Sequence, residues 1–159
     1  LCAKFRKGHF EGVIDVMDRL TKLIKPKKIF MGEKDFQQLF LVKKFIEKRY
    51  KCLIVPCKTI RDKNRLALSS RNLLLNKKDL LKAGKLSQNL MSFKKNLIHK
   101  KNINNLINEK KNYLTKVYNI SIEYLELRNK SNLKKKYKIK NSKLFIAYYL
   151  KKIKFIDNF

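Results

Sequence analysis

Met31-Gly32-Glu33-Lys34-Asp35-Phe36-Gln37-Gln38 joins a short apolar run to an amphipathic segment. The run before it, Lys28-Ile29-Phe30, reads as the end of a buried strand. Gly32 allows the backbone to come close to a neighbour. Lys34 brings a point positive charge and Asp35 a carboxylate. The spacing Asp35-x-x-Gln38 is that of a helix N-cap and its partner three residues on. Leu39, Val42, Phe45 and Ile46 then recur at helical spacing and form one inward stripe. A strand, a glycine turn and a capped helix start make an anion site at the carboxyl edge of an α/β sheet. The competing reading is an ordinary strand-to-helix turn with Lys34 and Asp35 in solvent, and turn chemistry alone leaves both open.

Working outward, Val13, Val16, Met17, Leu20 and Ile24 predict one face of a helix over 13–24, ended by Pro26. Ahead of it, Arg6-Lys7-Gly8-His9-Phe10-Glu11-Gly12-Val13 suggests a shaped loop entering that helix. A histidine such as His9 is more often a hydrogen-bonded structural residue than a catalyst. Downstream, Cys52-Leu53-Ile54-Val55 reads as a buried parallel strand closed by Pro56. Helix, strand, helix, strand from Val13 to Val55 implies half of a doubly wound α/β sheet.

The polar segment from Cys57 to Arg65 reads as a connector and a domain boundary. In Leu66-Ala67-Leu68-Ser69-Ser70-Arg71-Asn72, adjacent hydroxyls and a guanidinium can hold a polyanion. The same residues would also serve as a surface turn capping the next helix. Asn76 is placed to cap a helix to about Phe93, with Leu80, Leu81, Leu86 and Leu90 inward and Gly84 as a weak point. A second helix is expected over 102–116, with Ile103, Leu106, Ile107 and Leu114 inward. Strands are expected over 120–127, 144–150 and 153–157, with Lys151-Lys152 turning between the last two. Helices followed by such strands imply a small α+β domain.

The chain has 159 residues, 44% of them hydrophobic, so a packed core is within reach. Its formal charge of +29 fits either binding to nucleic acid or an anionic membrane, or a compositional bias toward Lys, Asn and Ile. Lysines are spread over every segment, and runs such as Lys134-Lys135-Lys136 are short, which favours bias. No apolar run approaches the length of a membrane span. The start, Leu1-Cys2-Ala3-Lys4, shows neither an initiator methionine nor a signal-peptide pattern, and reads as the middle of a protein. Cys2, Cys52 and Cys57 lack metal-site spacing, so reduced cysteines, no structural metal and a cytoplasmic setting are expected.

The two anion-suited stretches stand in the order and separation seen in the pantoate–β-alanine ligases (pantothenate synthetases), and the chain resembles that family throughout. Arg6-x-Gly8-His9-Phe10-x-Gly12-Val13 is similar to the family's loop before its long helix, and Phe155-Ile156-Asp157-Asn158 to its chain end. The resemblance implies the carboxyl-terminal portion of the enzyme. Residues 1–59 would be the second half of a Rossmann-type nucleotidyltransferase domain binding ATP and pantoate. Residues 60–159 would be a small α+β lid domain of helices and an antiparallel sheet.

It also implies ATP-dependent condensation of pantoate with β-alanine through a pantoyl adenylate, with Mg²⁺ and release of AMP and pyrophosphate. Gly32, Glu33, Lys34 and Asp35 would lie against ATP, with Lys34 on the phosphates and Gly32 and Asp35 on the ribose. Gln38 would hydrogen-bond pantoate, and Ile60 would lie beside the adenine. Leu68, Ser69, Ser70 and Arg71 match a mobile loop that closes on the triphosphate. In that loop Ser69, Ser70 and Arg71 would act with Lys34 in catalysis by stabilising the leaving pyrophosphate. Arg6 and His9 are candidate site-lining residues. A homodimer is implied for the complete enzyme, with neither membrane nor specific nucleic acid as partner.

The family's early His-x-Gly-His segment has no counterpart here, so this stretch alone is expected not to make pantothenate. Cys2-Ala3 stands where the family usually has Glu-Gly, Lys58 where a Pro is common, and Asn64-Arg65 where it usually has Asp-Gly. A decayed remnant of the ligase is a further reading that these departures suggest.

Overall fold

The computed structural model describes residues 8–98, 100–135 and 139–159. The chain falls into two compact units, Leu1–Thr59 and Ile60–Phe159.

In the first unit, α1 spans His9–Ile24, four residues longer at its start than periodicity predicted. Gly8 takes a left-handed φ of 76° just before it, so the expected shaped loop is already helix from His9 onward. Lys25, also left-handed, donates its N–H to the Thr21 carbonyl, and Pro26 ends the helix as expected. Val13, Ile14 and Met17 pack on the core, whereas Val16, Leu20 and Ile24, expected inward, are exposed. The apolar arc of α1 is wider than the flank that described residues cover. β1 (Lys28–Gly32) leads through a 3₁₀ turn, Glu33–Asp35, into α2 (Phe36–Arg49). The α2 stripe is as read: Leu39, Val42 and Ile46 are buried and Phe45 packs beside them.

β2 (Leu53–Cys57) pairs parallel with β1, from Lys28 opposite Leu53 to Gly32 opposite Cys57. Ile29, Met31 and Ile54 face the helices. The other face carries Phe30 and Leu53, exposed at 67% and 50%, so among the described residues the sheet is covered on one side only. The expectation of a strand buried on both faces is corrected there. Pro56 does not close β2 but lies inside it, opposite Met31. Leu53 directs its N–H to β1 (3.0 Å to the Lys27 carbonyl), while Ile54 points the other way, to Glu47 Oε1 at 2.9 Å. Pro56 shares the orientation of Ile54, so its missing N–H costs the ladder nothing.

The second unit opens with a tight hairpin over 60–68. Arg61 bridges Ala67, and the Leu68 N–H meets the Ile60 carbonyl at 3.0 Å. Asp62 organises the turn, its Oδ1 accepting from the Asn64 and Leu66 amides at 2.8 and 2.9 Å. Arg65 sits at φ 69°, in the left-handed region that favours glycine. An L-residue there costs about 1 kcal/mol. Arg65→Gly should therefore raise the urea midpoint by an amount worth about 1 kcal/mol with an unchanged m-value.

After a second 3₁₀ turn, Ser70–Leu74, come α3 (Lys77–Asn96) and α4 (Ile103–Tyr118). Asn76 caps α3 as expected, its Oδ1 accepting the Asp79 N–H at 2.9 Å. Leu86 and Leu90 are buried and Leu80 packs on the core, but Leu81 is exposed. On α4, Ile103, Ile107 and Leu114 are buried and Leu106 packs on the core. The antiparallel sheet runs β3 (Ser121–Asn129), β4 (Ser142–Leu150), β5 (Ile153–Asn158) in that order. A bulge between Ile122 and Tyr124 breaks the simple alternation, and both Tyr124 and Leu125 are buried. Glu123, at the bulge, holds Lys154 of β5 at 2.7 and 2.8 Å. Lys151 takes φ 55° in the Lys151-Lys152 turn and pairs with Asp79 of α3.

Half-burial near the end of α3 pushes Lys94 down from 10.5 to about 8, with the Lys143 and Lys130 charges adding to the effect. Below about pH 8 both the folded and unfolded chain hold that proton, and the folded state carries the full penalty. Between 8 and 10.5 the unfolded chain binds more of the proton, so stability from this group rises with pH. Discounted for solvent screening, Lys94→Met should add about 1 kcal/mol at neutral pH. Urea unfolding of both forms at pH 7 and above pH 10 should show that gain shrinking toward zero.

Candidate functional site

Each unit carries one of the two stretches singled out by sequence. In the first unit the turn begins at Gly32, whose backbone is extended (φ −67°, ψ 132°). A Cβ built on Gly32 would meet no atom within 4 Å. The missing side chain therefore leaves an opening at the end of β1 and is not needed for an internal contact. Glu33, Lys34 and Asp35 form the 3₁₀ turn, with Glu33 and Lys34 half-buried and Asp35 exposed. Asp35 is the N-cap of α2, but its side chain makes no capping hydrogen bond, which corrects the expected Asp35–Gln38 box. The 3₁₀ turn, not a side-chain cap, takes the chain into the helix. The Asp35 carboxylate thus stands at the turn without a capping task. Gln38 lies in the first turn of α2, half-buried, between Phe36 and the buried Leu39. The structure therefore gathers Gly32, Glu33, Lys34, Asp35 and Gln38 on one strand-to-helix junction. His9 is the first residue of α1, half-buried, with its ring 5.2 Å from that of Phe10. Arg6 lies outside the described residues.

In the second unit, Ile60 and Leu68 face each other across the hairpin ladder, and both are exposed. Ser69 follows directly and caps the 3₁₀ turn, its Oγ accepting the Arg71 N–H at 3.3 Å. Asn72 anchors the turn from below through Nδ2 to the Ala67 carbonyl, 3.0 Å. Ser70 and Arg71 are exposed, and the Arg71 guanidinium donates to the Lys154 carbonyl of β5 at 3.0 Å. The segment is a capped turn, and it presents two hydroxyls and a guanidinium on one exposed bend.

The sequence reading missed Arg61 and Asp157. Arg61 makes a two-pronged ion pair with Asp157, 2.7 and 2.9 Å, at the base of the hairpin. The signal available was an arginine inside the connector and an aspartate in the terminal Phe155–Asn158 stretch, 96 residues apart, which no local pattern links.

Two units, an α/β half-sheet and an α+β sandwich with a polar bend in each, define the chain as an α/β protein with an appended α+β module. The chain belongs to the pantoate–β-alanine ligase family, whose model matches residues 1–159. It is 37% identical to the pantothenate synthetase of Flavobacterium psychrophilum, an alignment covering 98% of this chain and 56% of that protein. With the pantothenate synthetase of Clostridium botulinum the identity is 38%, over 100% of this chain and 58% of the relative. Among solved structures, pantothenate synthetase from Thermus thermophilus matches with a TM-score of 0.89 at 27% identity, over 100% of this chain and 58% of that one. The ligase from Francisella tularensis, solved with a β,γ-ATP compound and β-alanine, matches with a TM-score of 0.77 at 29% identity, over 100% of this chain and 53% of that one. The chain thus spans little more than half the length of these relatives.

Proposed function

We propose that this chain supplies the carboxyl-terminal part of an enzyme that joins pantoate to β-alanine at the expense of ATP. The observation that carries the proposal is the family match over residues 1–159, which includes the Gly32–Gln38 junction and the Ser69–Arg71 bend. In the first step a pantoate carboxylate oxygen attacks the α-phosphorus of ATP, the α–β bond breaks, and pyrophosphate leaves. In the second, the β-alanine amine attacks the acyl carbon of the adenylate, AMP leaves, and the amine proton is lost.

Residues of the first junction take the nucleotide: Gly32 by leaving space, Asp35 through the ribose hydroxyls, and Lys34 through the phosphates. Gln38, with an amide that both donates and accepts, suits the hydroxyl and carboxylate of pantoate. Ser69, Ser70 and Arg71 meet the charge that develops on the leaving pyrophosphate, with Ile60 and Leu68 offering apolar surface near the base. Mg²⁺ enters as the counter-ion of the ATP phosphates. Among the described residues no group of three or more His, Cys, Asp or Glu could hold a metal ion.

The full-length enzyme is a homodimer on this reading. Its AMP release, assayed with pantoate, β-alanine, ATP and Mg²⁺, tests the proposal. AMP formation that requires both organic substrates is the expected result; its absence from a folded full-length enzyme overturns the reading. No described helix is long and apolar enough to cross a membrane.

A further inference from the structure

Arg61 is engaged on several sides at the base of the hairpin. Its guanidinium forks onto both Asp157 oxygens, donates to the carbonyls of Arg65 (3.1 Å) and Asn158 (3.2 Å), and lies 4.9 Å from the centre of the Phe159 ring. The pair is withdrawn from solvent, with side chains 14% and 5% exposed. Asp157 is held in turn by its neighbours: the Asn158 N–H donates to Oδ1 at 2.8 Å, and Ser87 Oγ of α3 reaches Oδ2 at 3.5 Å. Phe159 is fixed by a reciprocal pair of backbone hydrogen bonds with Leu144, 2.9 Å each. The chain end is therefore part of the sheet, and Arg61 ties the hairpin to it.

What hangs from that tie is the polar bend. Arg61 bridges Ala67, Ala67 accepts from Asn72, and Ser69 to Arg71 lie between them. Only Ala67 and Leu68 of the hairpin ladder separate the fork from the first hydroxyl, so a tilt of the hairpin base displaces the bend, whose far side Arg71 holds to the Lys154 carbonyl. Such a fork holds a planar group in one orientation, which a lysine cannot do.

We propose that the Arg61–Asp157 pair, closed by Phe159, is a positioning latch by which the chain end sets the placement of Ser69, Ser70 and Arg71 for pyrophosphate departure. The role of the bend rests on the ligase reading; the latch itself does not. On this proposal each of the three latch residues is a positioning residue and acts through the hairpin.

Two measurements test it. The first is amide hydrogen exchange on the 159-residue chain carrying Asp157→Asn, Arg61→Lys or the milder Phe159→Leu. The Leu68, Asn72 and Leu75 amides should exchange about tenfold faster in the first two variants and less so in the third, with α4 and the β3–β4 ladder unchanged. Unchanged hairpin exchange in Arg61→Lys, or a rise spread over the whole unit in Phe159→Leu, overturns the latch. The second is steady-state kinetics of the same variants in the full-length enzyme. A displaced bend should lower kcat by about tenfold or more while KM for pantoate stays within about twofold. Parental kcat in a variant whose hairpin exchanges faster overturns the positioning role. A parent enzyme that releases no AMP overturns the ligase reading and leaves the exchange result to judge the latch.

Discussion

Lys34→Ala in the full-length enzyme should lower kcat about a hundredfold, a loss on the order of 3 kcal/mol, by comparison with removal of one preorganised donor. Lys34 lies in the middle of the 3₁₀ turn that directly follows β1 and its extended Gly32. The backbone there is set by the strand on one side and the buried Leu39 of α2 on the other. The ammonium is thus carried on a fixed base. On the ligase reading proposed above, negative charge moves onto the β- and γ-phosphates as the α–β bond breaks in the first step. A cation at those oxygens binds the transition state more strongly than ground-state ATP, so its removal should fall on kcat more than on KM for ATP. Gln38→Ala should separate from it by raising KM for pantoate and leaving that for ATP nearly unchanged. Kinetics with each substrate varied decide the matter. Parental activity in Lys34→Ala, or weakened ATP in place of pantoate in Gln38→Ala, would show that this junction does something else.

The parts of the fold that sequence revealed are those written in local periodicity. The α2 stripe, the Asn76 cap and the strands of the second unit follow from apolar spacing and one capping residue. Unit 1 was less legible because its helix and sheet have wider apolar surfaces than described residues cover. Val16, Leu20, Phe30 and Leu53 read as core by composition, yet stand exposed. The Asp35–Gln38 pattern failed for another reason: a tight 3₁₀ turn can start a helix without the side-chain cap that the spacing suggests. The site stretches themselves were legible because they are contiguous. The Arg61–Asp157 pair was not, since a contact across 96 residues leaves no trace in either neighbourhood. Charge is a similar case. Lys134 and Lys135 are exposed, which suits a compositional bias and a binding surface alike, and Lys136 lies outside the described residues.

Gly84→Val should destabilise the second unit by about 3 kcal/mol, the upper part of the range for overpacking a filled site. By helix propensity alone Gly84 looks like a flaw in α3, since alanine there would gain about 1 kcal/mol. The structure supplies the reason for it. A Cβ on Gly84 would lie 2.6 Å from the Asn64 Cβ and 2.9 Å from the Asn64 carbonyl oxygen. That atom cannot swing aside, because Asn64 sits in the hairpin turn, its N–H bonded to Asp62 and its carbonyl to Gln88 Nε2 at 3.1 Å. The close approach lets the hairpin tip rest on α3 while Arg61 holds its base. Gly84→Ala should cost less than Gly84→Val, since the propensity gain offsets part of the clash. Asn64→Gly combined with Gly84→Ala should recover part of that cost, because the shorter of the two contacts is gone; the two changes should therefore be non-additive. Urea unfolding followed by circular dichroism of the parent, Gly84→Val, Gly84→Ala, Asn64→Gly and the double variant measures these effects. If Gly84→Val is as stable as the parent, the packing of Asn64 on α3 is not what excludes a side chain from that position.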